Sequence, residues 1–182
     1  MEEYTEQQVR NSVMAAKMAA YKLWPYQRKA IASLILRITP GLGTCAVDPW
    51  FRLYLDPEMF MPLPMKHKAG ICAHEAWHPT LCHSDRRGNR DPKLWNIACD
   101  LFINSMITRE YLPEWACFPD KYNLPSGGAA EWYYNQLKDQ GVDPDEDEPG
   151  GGGQGGEDGE DGKDGEGDGV TNGNCGSGAT GV

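Results

Sequence analysis

The segment that most constrains this chain is His74-Glu75-Ala76-Trp77-His78, which stands in a stretch of otherwise small and apolar residues. In a helix each residue advances about 100°, so residues four positions apart lie on the same face. His74 and His78 are therefore predicted to project side by side, one turn apart, with Glu75 next to them. Because residues 69–73 are small or apolar, the helix is predicted to pass through the core.

The H-E-x-x-H spacing points to one kind of chemistry. Histidines at i and i+4 bind a zinc ion, and the glutamate takes a proton from the water that zinc activates. The alternative is a helix with two surface histidines and a glutamate. That alternative fits poorly, because the residues around the motif leave little polar face. We therefore predict a metal site formed by His74 and His78, with Glu75 as the catalytic residue.

A third metal ligand must come from elsewhere, since a catalytic zinc usually has three protein ligands and one position for water. Asp100 is the first candidate. It lies in a mostly apolar helical segment, where a lone carboxylate is costly unless it is paired or metal-bound. Asn96, Asp100 and Asn104 are spaced by four and share one polar stripe. A purely structural Asp100, held by hydrogen bonds, remains the alternative.

The other candidate ligands are His83, His67 and the cysteines. His83 follows His74 by nine residues, and Pro79 is predicted to bend or end the helix between them. We predict a structural role for His83, or a role behind the ligands, rather than ligation. His67 shares the helical face of His74, but lysines flank it on both sides, which favours a solvated first turn.

Hydrophobic spacing and breaker residues divide residues 1–140 into helices and two short strands. The first helix is capped by Thr5 and runs to about Trp24, and a second is predicted from Pro25 to about residue 39. Its buried face is assigned to Ile31, Leu34, Ile35 and Ile38. Strands are predicted at 44–47 and 51–55, and further helices from Met65 or Lys66, from Pro92 to about Arg109, and at 129–140. The predicted fold class is α+β, mainly helical, with a small β-sheet or hairpin beside the metal-binding helix.

The charge of the chain is unevenly distributed. Its formal net charge is -10, but residues 141–182 contain 12 acidic side chains and one lysine. Residues 1–140 are thus nearly neutral and lack the clustered basic residues of a nucleic-acid surface. The glycine-rich acidic segment 141–182 cannot bury enough apolar surface to offset its chain entropy, so we predict a disordered linker. A glycine-rich calcium-binding repeat is the alternative, but the apolar position that each turn needs is missing.

The six cysteines form no C-x-x-C pair, and several stand in apolar helical patterns. Free, buried thiols are therefore favoured over a disulfide framework. Residues 1–4 lack the basic and apolar regions of a signal peptide. The longest apolar run, Ala30 to Leu36, is too short to cross a bilayer. These features predict a cytoplasmic protein that associates with neither membrane nor nucleic acid.

The order of these segments resembles the metallopeptidase domain that precedes a von Willebrand A-like domain in bacteria and their phages. The likeness covers most of residues 20–140 and rests on H-E-x-x-H at 74–78, followed by His83 and Arg86, and on W-N-x-A-x-D-x-x-x-N at 95–104. Many zinc peptidases share the first motif, whereas the combination is much more specific. Pro79 departs from the apolar residue that the family usually has after the motif.

The resemblance implies a zincin-like fold in which a second helix brings an acidic ligand to the metal. His74, His78 and Asp100 would bind Zn²⁺, Glu75 would act as catalytic acid and base, and the substrate would be a peptide or protein. A von Willebrand A-like domain or an ATPase is the implied partner, and the acidic segment resembles the linker leading to such a domain. The chain would then be a natural single-domain version or a truncated one.

Two functional hypotheses follow. In the first, a domain at residues 1–140 is a zinc-dependent metallopeptidase that hydrolyses peptide bonds through metal-activated water. In the second, it is a non-catalytic interaction module that a metal stabilises. Glu75 discriminates between them, because a binding module has no need of a carboxylate beside its first metal-binding histidine.

Overall fold

A computed structural model of the chain describes residues 4–144. Its elements in chain order are α1 (Glu6–Leu23), α2 (Arg28–Ser33), β1 (Ile35–Ile38), β2 (Cys45–Val47), β3 (Arg52–Leu55), α3 (Pro57–Phe60), α4 (Met65–Thr80), α5 (His83–Arg86), α6 (Pro92–Met106) and α7 (Ala130–Asp139). Short 3₁₀ helices lie at Pro25–Gln27, Arg109–Tyr111 and Pro119–Tyr122. The prediction of a mainly helical α+β fold with a small sheet is confirmed.

The helix ends follow from local sequence signals. The Thr5 hydroxyl accepts a hydrogen bond from the backbone N–H of Gln8, whose side chain accepts in return from the backbone N–H of Thr5, so the predicted capping box is present. The Asp91 side chain caps α6, which starts with Pro92 as predicted. Helix α4 extends to Thr80, one residue past Pro79, so this proline lies in its last turn, where it leaves the Glu75 carbonyl without its helical N–H partner.

The prediction of one helix from Pro25 to residue 39 is wrong beyond Ser33. Leu34 leaves the helix with φ -58° and ψ 122°, and the next four residues form β1. This strand pairs in parallel with β3, with Ile35 opposite Arg52 and Ile38 opposite Leu55. The apolar spacing also fits a helix, but pairing with β3 decides the conformation. Ile35 is 51% exposed, so it does not belong to a buried helical face.

The sheet has the order β1-β3-β2, in which β2 runs antiparallel to β3. Helix α4 packs against α1, α2 and β2, while α6 packs mainly against α7. One hydrophobic cluster joins α1, the sheet and α4, and a second joins α6 and α7. Helix α4 therefore crosses the interior, and α6 lies against it. This arrangement places polar groups of both helices inside the protein.

The expectations about the acidic segment, the cysteines and membrane-spanning helices compare with the structure as follows. The acidic linker predicted for residues 141–182 lies outside the described residues from residue 145 onward. The five cysteines within the described part are all free, as predicted. Between residues 4 and 144, no helix combines the length and hydrophobicity needed to span a bilayer.

Candidate metal centre

Helix α4 buries the three polar residues of the H-E-x-x-H motif. Apart from Lys68, its other buried positions carry small or apolar side chains. His74, Glu75 and His78 are only 6%, 1% and 2% exposed. Buried groups of this kind need partners, because their desolvation is costly.

Asp100 of α6 supplies a third group at this point of α4. Its Oδ1 lies 3.3 Å from His74 Nε2 and 3.2 Å from His78 Nε2. The two Nε2 atoms are 3.2 Å apart, so the three atoms form a nearly equilateral triangle. Within the described part of the chain, His74, His78 and Asp100 are the group of side chains that could hold a metal ion.

The size of this triangle fits a tetrahedral ion. Ligand atoms that are about 2.0–2.1 Å from a tetrahedral zinc are roughly 3.3–3.4 Å from one another. The observed separations of 3.2–3.3 Å lie within about 0.2 Å of that spacing. Two imidazoles and a carboxylate also form a donor set typical of catalytic zinc, with one position left for water.

The orientation of His74 is set by a chain of two hydrogen bonds. The side-chain amide of Asn104 donates from Nδ2 to the backbone carbonyl of Cys117 at 2.7 Å. Its Oδ1 is therefore the atom that faces His74 Nδ1, at 2.8 Å. An amide oxygen can only accept, so His74 Nδ1 carries the proton. In the neutral form of the ring, the lone pair of His74 Nε2 is then directed towards the triangle.

His78 has a different outer partner. Its Nδ1 lies 3.2 Å from Nδ1 of His83, the first residue of α5. Cys82, in the left-handed region at φ 53°, turns the chain after α4 and brings His83 to this position. His83 thus faces the ring nitrogen of His78 that points away from the triangle. It lies behind a candidate ligand, as the sequence had led us to expect.

Burial and the Asp100 carboxylate have opposite effects on the pKa values of His74 and His78. Burial lowers the pKa of His74, but the hydrogen bond and charge of Asp100 outweigh it and raise that pKa to about 9. For His78, burial prevails over Asp100 and is reinforced by His74, so its pKa is lowered. The metal-free site therefore holds one protonated and one neutral imidazole around a carboxylate, and a cation would take the place of that proton.

Glu75 is the third polar group that α4 contributes. Its Oε2 is buried and has no hydrogen-bond partner among the described residues. Burial, the main influence, raises the pKa of this carboxyl well above its ordinary range. The charge of His74 opposes that rise and the charge of Asp100 adds to it. A carboxyl group with a raised pKa is suited to take up a proton and release it again near neutral pH.

A cleft opens beside these groups. It is small, with a cavity volume of about 30 Å³, and His74, Glu75 and Asp100 are among its lining residues. Residues 112–117 connect two 3₁₀ helices, and all of them except Glu114 line the cleft, together with Cys45 of β2. The unpartnered carboxylate and two of the three candidate ligands therefore face the same space.

The other candidate ligands are not part of the triangle. His67 lies two turns before His74 on α4 and stays outside the group that could hold a metal. Cys45 and Cys117 line the cleft, yet neither joins that group. Arg86, which the family resemblance also singled out, donates to both carboxylate oxygens of Glu131 on α7, at 2.8 Å each, and is not among the candidate ligands.

Sequence reasoning did not identify two parts of this site. The four-residue spacing of Asn104 and Asp100 was a signal that both share a face of α6, but the pairing of Asn104 with His74 depends on how the two helices meet. The wall formed by residues 112–117 carried no recognisable motif. Its position becomes apparent only from the tertiary structure.

Comparison with known proteins gives one match. A family described as "Putative metallopeptidase domain" matches residues 10–182 of the chain. No curated protein and no solved structure matches. Because the match spans most of the sequence and includes all the residues of the triangle, the chain belongs to this putative metallopeptidase domain family.

Proposed function

We propose that the domain is a zinc-dependent peptidase with His74, His78 and Asp100 as metal ligands and Glu75 as catalytic acid and base. One observation carries this proposal: the three candidate ligand atoms form a triangle with sides of 3.2–3.3 Å, and an unpaired buried carboxylate stands next to it. The family to which the chain belongs supports metallopeptidase chemistry.

A bound zinc ion would act as a Lewis acid on the scissile carbonyl and would make a water molecule acidic enough to attack at neutral pH. The residues of the chain perform the proton transfers. Glu75 lines the same cleft as His74 and Asp100, and its Oε2 has no other partner in the described part of the protein. It therefore accepts the proton of the attacking water and delivers it to the leaving amine.

The surrounding contacts keep these groups in place. Asn104 fixes the tautomer of His74 through its link to the Cys117 carbonyl. Gln27 donates from its side-chain amide to the carbonyl of Ala73, which precedes the motif on α4, at 3.0 Å. Rigid support of this kind lowers the reorganisation needed when the ligands bind a cation.

The second hypothesis, a metal-stabilised module without catalysis, is less well supported. Glu75 is buried without a hydrogen bond to Oε2, which costs folding free energy and adds nothing to a structural metal site. Structural zinc sites are usually closed by a fourth protein ligand. Here the described residues offer three, and they lie beside a cleft.

The first test measures metal content. Purified protein is expected to bind one zinc ion, and changing His74, His78 or Asp100 to alanine is expected to abolish this binding. Loss of zinc in His83→Ala but not in Asp100→Ala would overturn the ligand assignment.

The second test separates catalysis from binding. Glu75→Gln should keep zinc but lose peptide cleavage, whereas Glu114→Gln, at an exposed position outside the triangle, should keep both. Cleavage by Glu75→Gln at the wild-type rate would exclude the proposed proton transfers.

A further inference from the structure

The walls of the cleft differ sharply in polarity. His74, Glu75, Asp100 and Asn104 gather its polar atoms on the side formed by α4 and α6. The loop of residues 112–117 supplies most of the remaining lining, through Leu112, Pro113, Trp115 and Ala116. Ile71 and the thiols of Cys45 and Cys117 complete it. Among the described residues that line the cleft, none is a lysine or arginine.

We propose, building on the peptidase function above, that this apolar wall binds the substrate side chain next to the scissile bond and selects for aliphatic or aromatic residues there. An apolar side chain gains free energy when it leaves water for such a wall. An aspartate, glutamate, lysine or arginine would lose its hydration without finding a partner of opposite charge on the wall. The selected substrates are polypeptides with an apolar residue beside the cleaved bond.

The same wall also bears on where in a substrate the enzyme cuts. Recognition of a C-terminal carboxylate relies on a cation, most often an arginine that binds both oxygens. The described lining residues offer no lysine or arginine for this purpose. The site is therefore assigned to internal peptide bonds rather than to removal of C-terminal residues.

The loop provides a way to test this assignment by charge. Ala116 lines the cleft and is partly exposed, so a charged side chain at this position changes the charge of the lining. Glu114 stands two residues away on the same loop, but it is exposed and does not line the cleft. Substitutions at these two positions thus form a matched pair within one loop.

The experiment incubates zinc-loaded protein with a mixture of synthetic peptides of varied sequence and identifies the cut sites by mass spectrometry. Apolar residues beside the cut are expected to be preferred over charged ones by roughly 10–100-fold. Ala116→Glu should shift the preference towards lysine and arginine, Ala116→Lys should shift it towards acidic residues, and Glu114→Ala should leave it unchanged. Affinities of dipeptide hydroxamates with leucine, aspartate or lysine side chains, measured by calorimetry, provide a readout independent of turnover.

The possible outcomes distinguish this inference from the proposed function. Cleavage without enrichment of apolar residues would overturn the selectivity and leave peptide hydrolysis standing. Preferential release of C-terminal residues would overturn the assignment to internal bonds. Absence of both cleavage and hydroxamate binding in the zinc-loaded protein would overturn the proposed function and the selectivity with it.

A different observation supports a role for His83. Its Nδ1 lies 3.2 Å from Nδ1 of His78, and only one proton fits between two imidazole nitrogens at that distance. The ring of His83 is fully buried and packs edge-on against Trp95 and Phe102, and the indole N–H of Trp95 donates to its carbonyl at 2.8 Å. Its Nε2 has no hydrogen-bond partner among the described residues in either tautomer.

We infer that His83 is a positioning residue, which accepts the Nδ1 proton of His78 and thereby keeps the Nε2 lone pair of His78 directed at the metal. This inference rests on the metal site proposed above. Because His83 Nε2 is unpartnered in both tautomers, the partner of His78 Nε2 decides which tautomer is populated. A cation at Nε2 selects the tautomer in which His78 Nδ1 donates and His83 Nδ1 accepts.

The test compares two substitutions that separate packing from hydrogen bonding. His83→Phe keeps an aromatic ring and removes the acceptor, whereas His83→Asn places an amide oxygen close to where Nδ1 was. Zinc affinity, measured by competition with a chromophoric chelator, is expected to fall 10–100-fold in His83→Phe and to stay within about threefold of wild type in His83→Asn. Thermal unfolding of the metal-free variants checks that both fold.

Unchanged affinity in His83→Phe, or an equal loss in both variants, would overturn this role. The imidazole ¹⁵N spectrum of the zinc-loaded protein gives a second readout, in which His78 should carry its proton on Nδ1. Protonation of His78 on Nε2 would contradict the inference directly. Wild-type protein that binds no zinc would overturn the metal site itself and His83's role with it.

Discussion

Gly70 in the middle of α4 offers a test of how the cleft wall is held. A Cβ atom at this position would lie 1.8 Å from the carbonyl oxygen of Tyr111. That oxygen belongs to the backbone of the 3₁₀ helix just before residues 112–117, so it cannot move aside as a side chain would. The contact must lengthen by more than about 1 Å before ordinary van der Waals distances are restored.

The expected effect of Gly70→Ala follows from two opposing contributions. In an exposed helix interior the change would stabilise the protein by about 1 kcal/mol, since alanine is the better helix former. Overpacking costs about 1–3 kcal/mol, and the clash with a backbone atom places this case near the upper end, about 3 kcal/mol. The net prediction is a loss of about 2 kcal/mol in the free energy of unfolding, or roughly 6–8 °C in Tm for a domain of this size.

Urea and thermal unfolding of the metal-free protein measure this loss, with Lys66→Ala at an exposed position of α4 as a control expected to stay within about 0.5 kcal/mol of wild type. Stability of Gly70→Ala equal to or above that of wild type would refute the reasoning. It would mean that helix propensity outweighs the close approach of the two backbones.

Three further predictions concern the site. Asn104→Leu removes the acceptor for His74 Nδ1 and the donor to the Cys117 carbonyl, so zinc affinity in a chelator competition should fall about 10–100-fold. Zinc at 100 times its Kd should stabilise the wild type by about 2.7 kcal/mol in thermal unfolding, and chelation should remove this gain; Asp100→Ala should show no gain. Burial lowers the pKa of His83 to about 2, so the folded protein keeps this ring neutral while the unfolded chain protonates it below about 6.5. Its contribution to stability is present above pH 6.5 and is lost as the pH falls towards 2. Metal-free wild type should therefore lose about 1 kcal/mol more than His83→Phe between pH 7 and pH 5.5 in urea titrations; equal losses in the two proteins would contradict this assignment.

The parts of the candidate site that could be predicted are those whose residues lie a few positions apart on one helix. His74 and His78 lie one turn apart on α4, so the helical period alone brings their rings to one face. Asp100 was found because a carboxylate in a mostly apolar helix requires a partner. The spacing of Asn104 to Asp100 also placed it on the same face of α6, although its contact with His74 was not foreseen.

The error in the fold has a physical reason. Ile31, Leu34, Ile35 and Ile38 fit a helical pattern, and nothing within that segment rules out a continued helix. Residues 35–38 become a strand because they pair with β3, a segment that begins more than a dozen residues later. Contacts between distant segments override local propensity in such cases.

By itself, the sequence indicated which residues could bind a metal and which helices carry them, because helical periodicity and the cost of an unpaired buried charge act within a few turns of chain. The tertiary structure alone decided that the candidate ligand atoms lie 3.2–3.3 Å apart, that Asn104 contacts His74 while His83 contacts His78, and that apolar residues after α6 line the same cleft as Glu75. These distances depend on how α4, α5 and α6 pack against one another and on where the chain returns after α6. Such packing is fixed by side chains far apart in sequence.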